Sequence, residues 1–135
     1  MNAPNTSLAY RLLGLPDDAS LVPQEMAASL LLPAVFLCSA FIAFSVGSSW
    51  GTFAIMVPIA IPAGMALGLP PAPFLAAVLS GGIFGDHSSP ISDTTVISSL
   101  ASGSDHIAHV RTQLPYALLA GAMACACFAV LGSSL

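Results

Sequence analysis

Residues 84–95, Phe-Gly-Asp-His-Ser-Ser-Pro-Ile-Ser-Asp-Thr-Thr, form a polar knot with long apolar runs on both sides. Polar groups left unsatisfied in hydrocarbon are costly, so only backbone that is helical, buried in protein or lining a cavity is tolerated there. The knot therefore restricts the chain to few solutions. The simplest is a helix broken at a site that uses the polar groups.

The rest of the composition sets this knot in a membrane. Only 6% of the 135 residues are charged, 56% are hydrophobic and the mean hydropathy is +0.92. Soluble domains carry about a quarter charged residues. The length allows three to five spans of roughly 20 residues. It is too short for the two inverted repeats of a typical secondary transporter, so the chain is expected to be part of a larger transporter or to assemble with other chains. The expected fold class is an all-α integral membrane protein with at least one broken or re-entrant helix.

Residues 1–25 are polar to mixed, with a short surface helix expected at 8–13 and a turn at 16–20. No basic leader precedes the first apolar run, so no signal peptide is expected. The membrane domain is expected to begin at residue 26. Residues 26–47 read as the first span, with Pro33 inside it. A polar break at 48–52 follows. It reads either as a tight turn with Trp50 in the interfacial belt, or as an unwound element lining a cavity. Residues 53–69 are apolar, with Pro58 and Pro62 distorting any helix, and with Gly64 and Gly68 spaced for close helix approach.

Residues 74–101 are expected to make one broken crossing. A half-helix covers 74–85, the centre is unwound, and a second short helix runs from about 95. Ser102-Gly-Ser-Asp105 reads as a turn that caps an interfacial helix, with Ile107, Val110 and Leu114 on one face. The last span is expected at 114–132, with Pro115 in its first turn.

A broken helix makes the two carboxylates of the knot unequal. Asp86 is expected at the carbonyl end of the first half, where a proton or cation is needed. Asp93 is expected to cap the amide end of the second half. This assigns the exchangeable site to Asp86. The hydroxyls of Ser88, Ser89, Ser92, Thr94 and Thr95 supply hard oxygen donors suited to Na⁺. His87 either shares the proton traffic or only hydrogen-bonds the site. His106 and His109 lack the further ligands a zinc site needs and read as an interfacial polar face. Cys38, Cys125 and Cys127 sit in apolar runs as small buried hydrophobes. Two basic residues, Arg11 and Arg111, make no phosphate-binding patch, so no nucleic-acid partner is expected. The chain carries no nucleophile elbow or phosphate loop, and enzymatic activity is not expected.

Three stretches carry a family resemblance. Gly85-Asp-His-Ser-Ser-Pro-Ile-Ser-Asp-Thr-Thr95 resembles the signature of NhaC-type sodium/proton antiporters. Ser104-Asp-His-Ile-Ala-His-Val-Arg-Thr-Gln-Leu-Pro-Tyr116 and Gly47-Ser-Ser-Trp-Gly-Thr-Phe-Ala-Ile-Met-Val-Pro58 are similar to two further stretches of that family. They stand in the expected order and cover roughly residues 35–120.

The resemblance implies the C-terminal portion of a multi-pass antiporter of the cell (inner) membrane. Such a protein exchanges Na⁺ for H⁺, or couples an organic or amino acid to that gradient. A non-transporting membrane subunit is the reading from a different class. The implied partners are the bilayer, the two ions, and the missing N-terminal transporter half or another copy. No resident cofactor is implied, with Na⁺ placed in the region of Asp86. The implied ion-binding residues are Asp86, His87, Ser88, Ser89, Ser92, Asp93, Thr94 and Thr95. Ser48, Ser49, Gly51 and Thr52 form a possible second element, because paired breaks in neighbouring segments are a recurrent transporter feature.

Overall fold

The starts of three helices follow a local signal. The computed structural model describes residues 24–135, so the elements expected at 8–13 and 16–20 lie outside it. Among the described residues there are five helices: α1 (Gln24–Val46), α2 (Ser49–Ala66), α3 (Pro71–Ser88), α4 (Asp93–Ala101) and α5 (His106–Ser133). Ser48 caps α2, its Oγ accepting from the Gly51 N–H, and Asp105 caps α5 by accepting from the Ala108 N–H at 2.8 Å. Pro71 starts α3 at the position where a missing N–H costs nothing. No strand occurs among the described residues, and the fold is all-α.

α1 is the central helix. Phe36 faces Gly81, Ala40 faces Gly85, and Phe44 bonds Ser89, so α1 and α3 run parallel at a constant offset of 45 residues. A Cβ on Gly81 would collide with the Phe36 carbonyl, and one on Gly85 with the Ala40 carbonyl. The two backbones therefore meet directly. In lipid this is the expected way to join helices, because hydrocarbon offers no hydrophobic gain and close packing must supply the attraction. α2 runs antiparallel to α3, with Phe53 over Gly82 and Phe74 under Gly64. α5 runs antiparallel to α1, with Gly132 against the Ala28 carbonyl and the Phe36 and Phe128 rings 5.5 Å apart. Leu32, Phe36, Phe74 and Val78 fill the core.

Three helices, Met26–Val46, Ser49–Ala66 and His106–Ser133, are long and apolar enough to cross a membrane. Their outward faces carry large apolar side chains, among them Ile55, Ile59, Leu119, Met123 and Val130. A surface this apolar suits a hydrocarbon surround. This is a multi-pass membrane protein.

Several sequence expectations change. The last two expected elements are one helix of 28 residues, with Pro115 ten positions inside it. Proline removes only one backbone donor, and the surrounding turns carry the helix through it. Pro58 and Pro62 likewise stay within α2, which ends at Ala66, leaving Gly68 (φ 74°) in the following turn. The break expected at 48–52 shrinks to Gly47 and Ser48, and Ser49, Trp50, Gly51 and Thr52 open α2. Gly47 takes φ 70° there, a conformation open to glycine at little cost.

Replacing Gly85 by Leu is expected to destabilise the bundle by about 3 kcal/mol, because the clash is with backbone that cannot repack. The measurement is thermal loss of helicity in detergent. Leu at the exposed Ala120 is the control and should shift stability by no more than about 0.5 kcal/mol. Equal behaviour of the two variants would show that the α1–α3 approach is not what holds the helices together.

Candidate cation site

The break between α3 and α4 is built by side chains that return to their own backbone. Ser88 Oγ donates to the Phe84 carbonyl at 2.7 Å, and His87 Nδ1 donates to the Ile83 carbonyl at 3.0 Å. These bonds suit a continuing helix, and α3 reaches Ser88. Ser89 then turns to an extended conformation (ψ 132°), as the residue before a proline must when the ring excludes the helical region. The helix resumes at Asp93, after Ser92 (φ −67°, ψ 135°), whose carbonyl accepts from the Val96 N–H at 3.0 Å.

Three expectations about the break are thereby corrected. The first half does not stop at residue 85. It is an 18-residue helix, about 27 Å long. Gly85 lies inside that helix as a packing residue and does not begin the break. The unwound part is residues 89–92, and Asp86 lies in the last turn of α3. The cap of α4 is Ser92, with Asp93 the first helical residue. Asp93 is exposed and its Oδ1 accepts from the Thr94 N–H at 2.8 Å. It still favours the positive end of α4, but from outside the buried cluster.

The break also sits at one end of the bundle rather than at its centre. Ser89 Oγ donates to the Phe44 carbonyl at 2.7 Å, in the last turn of α1, and also accepts from the Ile91 N–H. The Ile91 carbonyl lies against Gly47. The first turn of α5 approaches from the other side, where His106 Nε2 donates to the Pro90 carbonyl at 2.7 Å.

At the heart of the cluster is Asp86, only 3% exposed. Ser92 Oγ donates to its Oδ1 at 2.7 Å, and Ser92 Oγ and Thr94 Oγ1 are also 2.7 Å apart. The structure thus joins Asp86, Ser92 and Thr94 in one chain of oxygens. Thr95 is buried and donates to the His87 carbonyl at 3.4 Å. The side chains of Ser88 and Ser89 are engaged with backbone carbonyls, and the imidazole of His87 points away to Ile83. Of the second element, Ser48 and Gly51 bond one another within the α2 cap. Thr52, fully buried, donates to the Ser48 carbonyl. Ser49 is half-buried in the same turn, and the link from this element to the knot runs through Gly47 and Ile91.

Four residues outside the expected set join the cluster. Buried Ser99 Oγ lies 2.8 Å from the Thr95 carbonyl, 3.1 Å from His106 Nδ1 and 2.7 Å from His109 Nδ1. Gln113 Nε2 donates to the His87 carbonyl. His106 and His109 are therefore not a lipid-interface face, and α5 turns its polar side inward. The signal was present in the spacing: 106, 109 and 113 fall on one helical face. A cavity of about 190 Å³ lies here, lined by His87, Thr94, Thr95, Ser98, His109 and Gln113. A larger cavity, about 630 Å³, is an apolar groove between α1 and α5 around Pro33 and Gly121, away from these polar groups. Among the described residues, no group of three or more His, Cys, Asp or Glu side chains is placed to hold a metal ion.

A single buried carboxylate beside a helix break, carried by apolar membrane helices, is an arrangement that recurs in ion-handling membrane proteins. Comparison with known proteins makes the assignment definite: residues 20–133 match the Na⁺/H⁺ antiporter family, and the chain belongs to it. It is 37% identical to the arginine/ornithine antiporter ArcD of Halobacterium salinarum, over 93% of this chain and 27% of that protein. It is 38% identical to the malate-2H⁺/Na⁺-lactate antiporter of Bacillus subtilis, over 76% of this chain and 22% of that protein. An uncharacterized Na⁺/H⁺ antiporter of Haemophilus influenzae is 44% identical over 67% of this chain and 20% of its own length. The chain thus spans about a fifth to a quarter of these curated relatives. No solved structure gives a significant match.

Ser92→Ala is expected to destabilise the protein by about 1–3 kcal/mol, because it strips a buried carboxylate of a hydrogen-bond donor. Asp93→Ala should cost about 1 kcal/mol or less, the scale of an exposed charge at a helix N-terminus. Chemical unfolding in micelles compares the two. A larger loss for Asp93→Ala would reverse the roles assigned to the carboxylates.

Proposed function

We propose that this chain carries the cation site of a sodium/proton antiporter of the cell (inner) membrane. It would work as the C-terminal part of a larger transporter, with the remaining spans supplied by a partner chain or another copy. The observation that carries this reading is the buried Asp86 with its oxygen neighbours Ser92 and Thr94. A carboxylate shut away from water needs a counter-charge or a proton. Na⁺ supplies the first, held by the carboxylate and the hard oxygens of Ser92 and Thr94. A proton supplies the second and makes the carboxyl neutral. The two occupants compete for the same oxygens, so each expels the other. Alternation of access then turns this competition into exchange. Na⁺ and H⁺ are cargo in this scheme, no resident cofactor is invoked, and the activity is transport rather than enzymatic conversion.

A second reading is supported by the names of two relatives, which exchange amino acids or hydroxy acids. In it, the cavity beside Thr94, Thr95 and His109 holds an organic solute while Asp86 keeps the coupling ion. Counterflow in vesicles loaded with arginine, ornithine, malate or lactate separates the two readings.

The direct test uses everted membrane vesicles with a pH-gradient dye and pulses of Na⁺, Li⁺ and K⁺. Na⁺ is expected to collapse the gradient with the wild-type chain. Asp86→Asn should abolish this response, and Asp93→Asn should retain most of it. A response that survives Asp86→Asn would remove Asp86 from the mechanism. Vesicles that hold the chain together with its partner spans and still move no cation or solute would point to a non-transporting membrane subunit.

A further inference from the structure

The stretch 104–116 lies outside the knot in sequence, yet it reaches the break at two points. His106 Nε2 donates to the Pro90 carbonyl, and Gln113 Nε2 donates to the His87 carbonyl. The two residues are seven apart, on one face of α5. A carbonyl only accepts, so His106 must carry its hydrogen on Nε2. Its Nδ1 lies 3.1 Å from Ser99 Oγ, on α4. A helix end leaves carbonyls that need donors, and an unwound segment leaves more. Here two of these donors come from another helix.

We propose that His106 and Gln113 are positioning residues for the Asp86 site, fixing the 87–92 backbone so that Ser92 stays aimed at the carboxylate and within reach of Thr94. The inference rests on the reading of Asp86 as the cargo site. Its physical content is a rigid link. Ser92 lies two residues beyond Pro90, and the Pro90 carbonyl is held by α5. Movement of the α5 N-terminus therefore moves the oxygen that bonds Asp86. Loss of the link leaves the ligands present but poorly placed, so cation affinity falls while the transport cycle itself survives.

Two measurements test this, each on wild type, His106→Leu, His106→Gln and Gln113→Leu. The first is Na⁺-driven proton release in everted vesicles. The second is amide hydrogen exchange over residues 89–96 in purified protein. His106→Leu is expected to raise the half-saturating Na⁺ concentration about tenfold, the scale of a lost buried hydrogen bond. The maximal rate should stay within about twofold, as expected when ground-state binding alone is lost. Exchange over 89–96 should accelerate. His106→Gln keeps a donor at similar reach and should restore both readouts. Gln113→Leu should move both in the same direction as His106→Leu, and it decides the matter if His106→Leu does not accumulate. Unchanged exchange in both Leu variants overturns the proposal. So does a fall in maximal rate alone, or a Gln variant as impaired as the Leu variant. If wild-type vesicles move no cation, the antiporter reading fails, and the exchange pattern alone decides whether α5 holds the break.

Discussion

The carbonyl oxygens of Phe36 and Ala40 occupy the space where side chains on Gly81 and Gly85 would be, and this direct backbone approach sets the height of everything above it. The contact row advances by four on both helices, from 36 and 81 to 40 and 85. Its third member pairs Phe44 with Ser89, where a hydroxyl replaces the missing side chain and satisfies a terminal carbonyl of α1. Asp86 follows Gly85 by one residue. Its depth is therefore a consequence of how two apolar helices pack, and the polar site inherits a rigid floor made of glycine.

Above that floor the chain must change direction without leaving polar groups stranded. It does so with short side chains of the knot, most of which face their own backbone. Ser88 and His87 extend α3, Ser89 closes α1, and Ser92 gives its hydroxyl to Asp86 instead of to the α4 cap. α4 has no side-chain cap bond, and the Ser92 hydroxyl lies between Asp86 Oδ1 and Thr94 Oγ1.

The break at one end of these helices also explains how the three family-like stretches cooperate. The turn at Gly47, the knot at 86–95 and the start of α5 are distant in sequence but meet in space, through Gly47 and Ile91 on one side and His106 and Pro90 on the other. The outward faces of α2 and α5 remain apolar, which suits hydrocarbon or further spans.

Much of this was legible from residues alone. The apolar runs, a helix break within the knot and the cap at Asp105 follow from local chemistry: hydrophobicity, and short polar side chains at a helix start. The burial of Asp86 amid oxygens was expected from the same reasoning, and so was the unequal standing of the two carboxylates. Sequence reasoning failed where several interactions compete. It ended α3 near Gly85, where the polar knot begins, whereas the helix runs on to Ser88. It gave the cap to Asp93, whereas Ser92 holds that position. It read His106 and His109 as an interface, because a helical face can be assigned from periodicity but its neighbour cannot. Sequence alone thus determined which groups the protein had to satisfy. Only the tertiary structure decided which partner satisfies each one, because a hydrogen bond between helices depends on their register and distance, and these are set by packing across the whole bundle.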